Sequence, residues 1–157
     1  MLIADAEAGR VIATNIASTN ALLTSIFTSH VIRPQSIAID ERRGVVLVAD
    51  LLDVKSFSLH GGDFLGTFLS DSTTFNSNGG LHVGLNPFED REIFVSIGNS
   101  NLVKSFNGTS GAFLQNVATS KLSKPSGFAF LSRASSNGTP SPPPPKTHFC
   151  LHDISNQ

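Results

Sequence analysis

An internal repeat of about 45 residues is the feature that most constrains how this chain can fold. Four short words recur along the sequence in the same order, at offsets that run from 45 to 49 residues per period. One word, Val-Lys-Ser-Phe, recurs without any change. The matched words are 34–39 with 125–130 (two periods apart), 47–50 with 93–96 and with 2–5, 54–57 with 103–106, and 64–65 with 113–114. The chain is therefore expected to repeat one structural unit.

Each period contains four short apolar segments separated by turn residues, which is the pattern of a small antiparallel sheet. The second segment is β-branched and apolar enough to be covered on both faces. Glycine and asparagine stand at the hairpin turns, where they adopt positive φ at low cost. The nearest helix candidate, Ile16–Phe27, is rich in Ser, Thr and Asn, which disfavour a helix interior. In one period the predicted strands are Ser36–Asp40, Val45–Asp50, Val54–Leu59 and Phe64–Leu69.

Four antiparallel strands every 40 to 50 residues is the repeat of one β-propeller blade. The order P-x-x-I-A-I-D, a turn, V-L-V-A-D, V-K-S-F and a glycine-bearing hairpin resembles the NHL-repeat family over about residues 1–131. The chain departs from that family at Leu52-Asp53, where NHL repeats carry Asn-Arg. This departure also admits the broader group of six-bladed propellers, which includes gluconolactonase-like and low-density-lipoprotein-receptor-type propellers. The resemblance implies an all-β fold: a partial β-propeller of about three four-stranded antiparallel blades with a disordered C-terminal tail.

The predicted strands add up to three blades' worth of chain, whereas propellers typically use four to eight blades. This count predicts a fragment of a longer propeller. The alternative is a homodimer by strand exchange, because Gly127–Leu131 supplies the first strand that the amino-terminal blade lacks. The predicted divisions are blades at 1–33, 34–78 and 79–124, a first-strand element at 125–131, and a disordered Pro/Ser-rich tail at 132–157.

Composition excludes several classes of protein. Eleven Lys plus Arg against 12 Asp plus Glu give a net charge of −1, which argues against a nucleic-acid partner. One Cys excludes a disulfide framework within the chain. No signal peptide and no apolar run of about 20 residues is visible, so no membrane partner is predicted and the localisation stays unknown. The proline run 142–145 in the tail is expected to form polyproline II, as a linker or as a ligand for an SH3- or WW-type groove.

Polar residues recur at the predicted strand ends, where propeller loops surround the central channel. Asp5, Asp50 and Ser96 are aligned at second-strand ends, and Asp40 and Asn86 at first-strand ends. Convergent carboxylates and amides from such loops are ligands that calcium prefers, so Asp5, Asp50, Asp40 and Asn86 form a candidate ligand-binding set with Ca²⁺ as its possible ion. The favoured alternative is structural: these side chains accept backbone N–H bonds in their own turns. No other cofactor and no catalytic or metal-ligating residue is predicted.

The remaining motifs are one glycosylation pattern and a set of phenylalanines. Asn107-Gly108-Thr109 fits the acceptor pattern for N-glycosylation and equally fits a hairpin tip. The phenylalanines recur with the strand pattern, which indicates packing between neighbouring blades. The predicted function is an NHL-like interaction scaffold for a protein or glycan partner. An incomplete metal-dependent lactonase or other hydrolase of the same architecture is the alternative.

Overall fold

The computed structural model describes residues 1–13, 24–27, 29–71, 75, 80–86, 92–119, 121–130 and 149–150. Only the backbone is described for 24–27 and 149–150. Nearly all the regular structure in this part of the chain is β-strand, joined by a single 3-10 turn at Gly98–Ser100. The strands are β1 (Leu2–Asp5), β2 (Arg10–Ala13), β3 (Thr24–Phe27), β4 (Ser36–Asp40), β5 (Val45–Ala49), β6 (Asp53–Ser58), β7 (Phe64–Ser70), β8 (Leu81–Leu85), β9 (Glu92–Ile97), β10 (Leu102–Asn107), β11 (Phe113–Ala118), β12 (Ala129–Phe130) and β13 (Phe149–Cys150).

The strands form successive antiparallel sheets in chain order, which we call blades. Blade 1 has the order β1-β2-β3, blade 2 the order β4-β5-β6-β7 and blade 3 the order β8-β9-β10-β11, while β12 pairs with β13. These four-stranded meanders confirm the prediction of an all-β, partial-propeller fold. The four strands predicted in the second period agree with β4 to β7 to within one residue.

Blades 2 and 3 share the same strand register. Lys55 lies between Val48 and Thr67, and Lys104 lies between Val95 and Asn116, so the recurring word Val-Lys-Ser-Phe occupies one structural position. Both blades also carry two register shifts against the fourth strand, one before the lysine and one before the phenylalanine. The two periods are therefore copies of one unit.

The second strands are the exception to this agreement. In the structure, the alignment of β5 with β9 differs by one residue from the alignment that the sequence predicted. Val48 pairs with Lys55 and Val95 pairs with Lys104, so Val95 is the counterpart of Val48. Ser96 then corresponds to Ala49, and the predicted equivalence of Ser96 with Asp50 is wrong. The shift follows from the spacing along the sequence, because four residues separate Asp40 from Val45, whereas five separate Asn86 from Glu92. A one-residue shift moves every side chain to the opposite face of its strand.

Apolar side chains fill the spaces between the blades. Phe57, Val46 and Val48 of blade 2 pack against Val11 of blade 1 and Val31 of the connecting segment. A larger cluster joins blades 2 and 3; its members include Ala38, Leu47, Ala49, Val54, Leu69, Leu81, Val83, Ile93, Val95, Ile97 and Phe106. Burial of this kind contributes about 25 cal/mol per Å² of apolar surface and is what holds the sheets face to face.

Hydrogen bonds also join the first strands of blades 2 and 3. The N–H of Val83 donates to Ser36 Oγ over 2.7 Å, and the N–H of Leu81 donates to Gln35 Oε1. These bonds occupy backbone donors of β8, the edge strand of blade 3. β4 and β8 therefore lie side by side at the inner edges of their sheets.

The segment that leads into β12 covers the other face of blade 3. The Phe128 and Phe130 rings lie 6.2 and 5.7 Å from the Phe94 ring, centroid to centroid. Of the predicted disordered tail, 132–157, the structure describes only Phe149–Cys150, which pair with Ala129–Phe130. This pairing is a two-residue antiparallel ladder. The rest of the tail prediction lies outside the described residues.

Candidate functional site

The four residues of the predicted ligand-binding set lie at two different edges of the blades. Asp5 ends β1 and Asp50 follows β5, the second strand of blade 2, whereas Asp40 ends β4 and Asn86 follows β8, the first strands of blades 2 and 3. First and second strands are antiparallel, so their ends lie at opposite edges of each sheet. A five-residue strand separates those edges by roughly 16 Å. The structure therefore does not gather all four side chains around one ion.

Asp50 is fully buried, at 0% exposure, and its carboxylate has several partners. Its carboxylate accepts the backbone N–H of Ile32 at 2.9 Å and that of Arg33 at 2.6 Å. The Lys55 ammonium donates to it at 2.5 Å and also contacts Asp53 at 3.0 Å. This cluster fastens the segment that enters blade 2 to the far end of its second strand.

Burial by itself raises the pKa of the Asp50 carboxyl, and the hydrogen bond from Lys55 lowers it. The N–H groups of Ile32 and Arg33 and the positive charge of Lys55 lower the pKa further, so that it falls below the ordinary value of 3.8. For Lys55, burial lowers the pKa, whereas its bonds to Asp50 and Asp53 raise the pKa above 10.5. Each charge thus keeps the other ionised.

These shifts predict how stability depends on pH. The lowered pKa of Asp50 contributes free energy of unfolding above pH 3.8, and the contribution is lost as pH falls through the folded-state pKa. The raised pKa of Lys55 contributes below pH 10.5, and that contribution is lost at still higher pH. We expect urea titrations to show this contribution intact from about pH 5 to pH 9 in the wild type. In Asp50→Asn the same titrations should show a smaller loss of stability below pH 4.

Asp40 and Asp5 are engaged in their own turns. Asp40, which is buried, accepts the N–H of Arg43 at 3.1 Å and pairs with the Arg43 guanidinium at 2.5 Å. Asp5 accepts the N–H of Ala8 at 3.1 Å and pairs with Arg10 at 3.2 Å. Such bonds are those of Asx turns, in which a carboxylate replaces a backbone acceptor.

Asn86 is buried after β8, and its backbone N–H donates to Glu92 O at 2.9 Å. Across the described ranges, no three His, Cys, Asp or Glu residues are grouped so that they could hold a metal ion. The same ranges contain no helix that is long and apolar enough to cross a membrane. The proposed calcium set thus gains no geometric support from these residues.

Asn107, the glycosylation candidate, ends β10 at the tip of a hairpin. Its Oδ1 accepts the N–H groups of Thr109 and Ser110, both at 2.9 Å. Gly111 completes the turn with φ of +72°, and its N–H donates to Asn107 O. These bonds give Asn107 a role in turn formation, and its modification stays a prediction.

A groove of about 560 Å³ lies between the outer strands of blades 2 and 3, and the sequence did not predict it. We call it the rim groove. Its volume falls within the range of about 300–1,000 Å³ that is typical of ligand sites. Gly111 lets the two blades approach here, because a Cβ on it would lie 2.8 Å from Phe68 O. The rim groove is lined by Phe68, Leu69, Ser70, Asp71, Lys104, Phe106, Gly111 and Phe113.

One ion pair and three aromatic rings determine the chemistry of the rim groove. Lys104 Nζ lies 2.9 Å from Asp71 Oδ2 and 5.7 Å from the centre of the Phe113 ring. The Phe113 ring packs edge-on against Phe106, with centroids 5.9 Å apart. The charges of Lys104 and Asp71 balance each other, so the groove offers apolar walls around a neutral polar pair.

Large apolar side chains lie exposed on and beside the rim groove. Phe113 is 54% exposed and Leu114 is 50% exposed, and both belong to β11, an edge strand of blade 3. Leu65, the counterpart of Leu114 in blade 2, is 56% exposed and lies outside the groove lining. The repeated Phe-Leu word in the sequence was the signal for this surface, although it was interpreted only as packing.

Comparisons with known proteins agree with the fold described above. No protein-family model and no curated protein sequence matches the chain. A solved nidogen/laminin complex is similar over 81% of this chain, with a TM-score of 0.61 and 14% identity. The Saccharomyces cerevisiae protein Sqt1 is similar over 97% of this chain, with a TM-score of 0.61 and 14% identity. The chain has a β-propeller-like fold, and it spans 46% and 38% of those two chains respectively.

Proposed function

We propose that this chain is a β-propeller interaction scaffold that binds a protein partner, and that an extended segment of the partner lies in the rim groove. The 54% exposure of Phe113, which forms part of the groove wall, carries the proposal. Aromatic side chains of this kind are enriched at the energetic centres of protein interfaces. The anchor residue of the partner is an apolar or aromatic side chain, because the Lys104 and Asp71 charges already neutralise each other.

The NHL type of blade belongs to the same proposal. Its support is the word Val-Lys-Ser-Phe, which occupies the third strand of both four-stranded blades in one register. The nidogen/laminin structure, which is similar in fold, is a complex between proteins, and this favours a protein over a glycan as the partner class. Three of the residues that line the rim groove are phenylalanines, and aromatic side chains are enriched at protein interfaces.

A lactonase or hydrolase activity receives no support from the described side chains. Such an activity needs acids that converge on one ion, and the predicted set is divided between two edges of the blades. Asp50 and Asp40 are also committed to Lys55 and Arg43, respectively. We therefore favour the interaction scaffold.

Selection of peptides from a random displayed library against the full chain tests this proposal. We expect selected peptides to share an apolar or aromatic anchor, and we expect Phe113→Ala to weaken their binding at least tenfold in calorimetric titrations. Leu65→Ala is the matched control, because Leu65 is equally exposed but lies outside the rim groove. Equal losses in the two variants, or selected peptides that bind Phe113→Ala as tightly as the wild type, would refute the assignment of the groove.

A further inference from the structure

We propose that the partner segment in the rim groove is anchored by a planar ring that stacks face to face on Phe113. This inference rests on the proposed function, and it narrows the anchor from any apolar side chain to an aromatic or imidazole ring. The chain already makes such a contact one blade earlier, where Phe64, the counterpart of Phe113, is covered by a ring of the same chain.

Phe64 and Phe113 occupy the same position in their blades. Each begins the fourth strand, and each lies opposite the phenylalanine that ends the word Val-Lys-Ser-Phe. This opposing residue is Phe57 in blade 2 and Phe106 in blade 3. The ring centroids of the two pairs are 5.4 and 5.9 Å apart, and the ring planes are inclined at 55° and 73°. The rings of Phe64 and Phe113 therefore offer a similar surface to a neighbouring side chain.

The two rings differ in what covers them. His30, in the segment that leads into blade 2, stacks on Phe64 with the ring centroids 4.1 Å apart and the planes inclined at 19°. Within the described residues, the Phe113 ring has a T-shaped contact with Phe106 and the Lys104 ammonium 5.7 Å from its centre, and no ring is stacked on it. This difference agrees with the exposure of the two residues, which is 36% for Phe64 and 54% for Phe113.

The segment that leads into blade 3 has no further ring to place on Phe113. It runs from 71 to 80, and Phe75 is its single aromatic or histidine residue. Phe75 is 2% exposed and packs against Phe106 in a T-shaped contact with centroids 6.3 Å apart. Because this ring is already buried in the core between blades 2 and 3, the place that His30 fills in blade 2 is left to a ring of the partner.

A planar ring gains more at this place than an aliphatic side chain of the same size. Stacked rings attract each other through their quadrupoles in addition to the apolar surface that they bury, and the added attraction corresponds to about a two- to tenfold change in affinity. The stack of His30 on Phe64 shows that a ring with polar nitrogen atoms is accepted at this position. Histidine, tyrosine and tryptophan are therefore suitable anchors besides phenylalanine.

Two small probes test the inference on the full chain: N-acetylphenylalanine amide and N-acetylcyclohexylalanine amide, which has the same carbon skeleton without the planar ring. Binding is followed through the NMR signals of Lys104, which lies beside the Phe113 ring. We expect the phenylalanine probe to bind more tightly than the cyclohexyl probe, by about threefold or more. In Phe113→Leu, which keeps an apolar side chain but has no ring, this preference should disappear.

His30→Ala provides a second measurement, because it removes the ring that covers Phe64. The variant should bind the phenylalanine probe at Phe64 as well as at Phe113, with shifts of the Phe64 signals that the wild type does not show. His60→Ala is the matched control, since His60 is also an exposed histidine next to blade 2 but does not occupy the place of His30 on Phe64. In this control the Phe64 signals should stay unchanged.

Equal affinities of the wild type for the two probes would overturn the planar anchor and leave the rim groove as a general apolar site. A failure of His30→Ala to bind the phenylalanine probe at Phe64 would also contradict it. The proposed function fails on a different result, which is that selected peptides bind Phe113→Ala as tightly as the wild type. The two failures are therefore distinguishable.

Discussion

Replacing Asp50 with asparagine is expected to lower the free energy of unfolding by about 3–5 kcal/mol. The substitution keeps the size of the side chain but removes the charge that Lys55 contacts at 2.5 Å within the core. Asp50 accepts the N–H of Ile32 through one carboxylate oxygen and the N–H of Arg33 through the other. Asparagine has only one side-chain oxygen, so one of these two hydrogen bonds is lost. The cost is high because Lys55 keeps only Asp53 as a partner in a place largely closed to water.

Asp5→Asn is the matched control for this prediction. Asp5 also ends a strand and pairs with an arginine, but its side chain is 30% exposed and that of Arg10 is 45% exposed. Exposed pairs contribute about 0–1 kcal/mol, so the control should lose no more than that. Chemical denaturation of both variants at pH 7 measures the difference. Equal losses would mean that the Asp50 cluster does not hold the entry to blade 2.

Replacing Gly84 with alanine is the second large effect, with an expected loss of about 1–3 kcal/mol. The added methyl group would lie 2.7 Å from Phe128 Cδ2 and 3.0 Å from Phe128 Cβ, closer than real contacts allow. Phe128 would then leave its place on blade 3 and lose its contact with Phe94. Ordinarily alanine stabilises a strand relative to glycine, so a loss here identifies the steric conflict.

Gly127→Ala provides the control, because a Cβ at that position meets nothing within 4 Å. We expect its free energy of unfolding to stay within about 0.5 kcal/mol of the wild type. Adding Phe128→Leu to Gly84→Ala should cost less than the sum of the two single changes, since the smaller side chain relieves the conflict. Strictly additive losses would show that Gly84 and Phe128 are not in contact.

The repeat predicted the strands well because each strand word combines apolar residues with flanking turn residues. The third strands were aligned correctly: Lys55 and Lys104 are polar residues within apolar strands and mark the register. The second strands were misaligned by one residue, because Val45–Ala49 and Ile93–Val95 are apolar on both faces and show no alternation. One more residue separates the first two strands in blade 3 than in blade 2, and no hydrophobic pattern marks it.

The contacts at the candidate sites were harder to predict, because many of them join residues that are far apart in the sequence. Asp50 binds Ile32 and Arg33, which precede it by 18 and 17 residues, and no pattern in the sequence links them. The rim groove depends on Gly111 meeting the backbone of Phe68, a contact between two blades. The turn bonds of Asp40 and Asp5 extend only a few residues along the chain, so they are within reach of sequence reasoning.

The central claim is that blades 2 and 3 share one strand register. Cross-strand proton contacts in an NMR spectrum of the chain test this claim most directly. We expect Lys55 to contact Val48 and Thr67, and Lys104 to contact Val95 and Asn116. Contacts of Lys104 with Phe94 in place of Val95, or the absence of either set, would contradict the stacked repeat of four-stranded sheets.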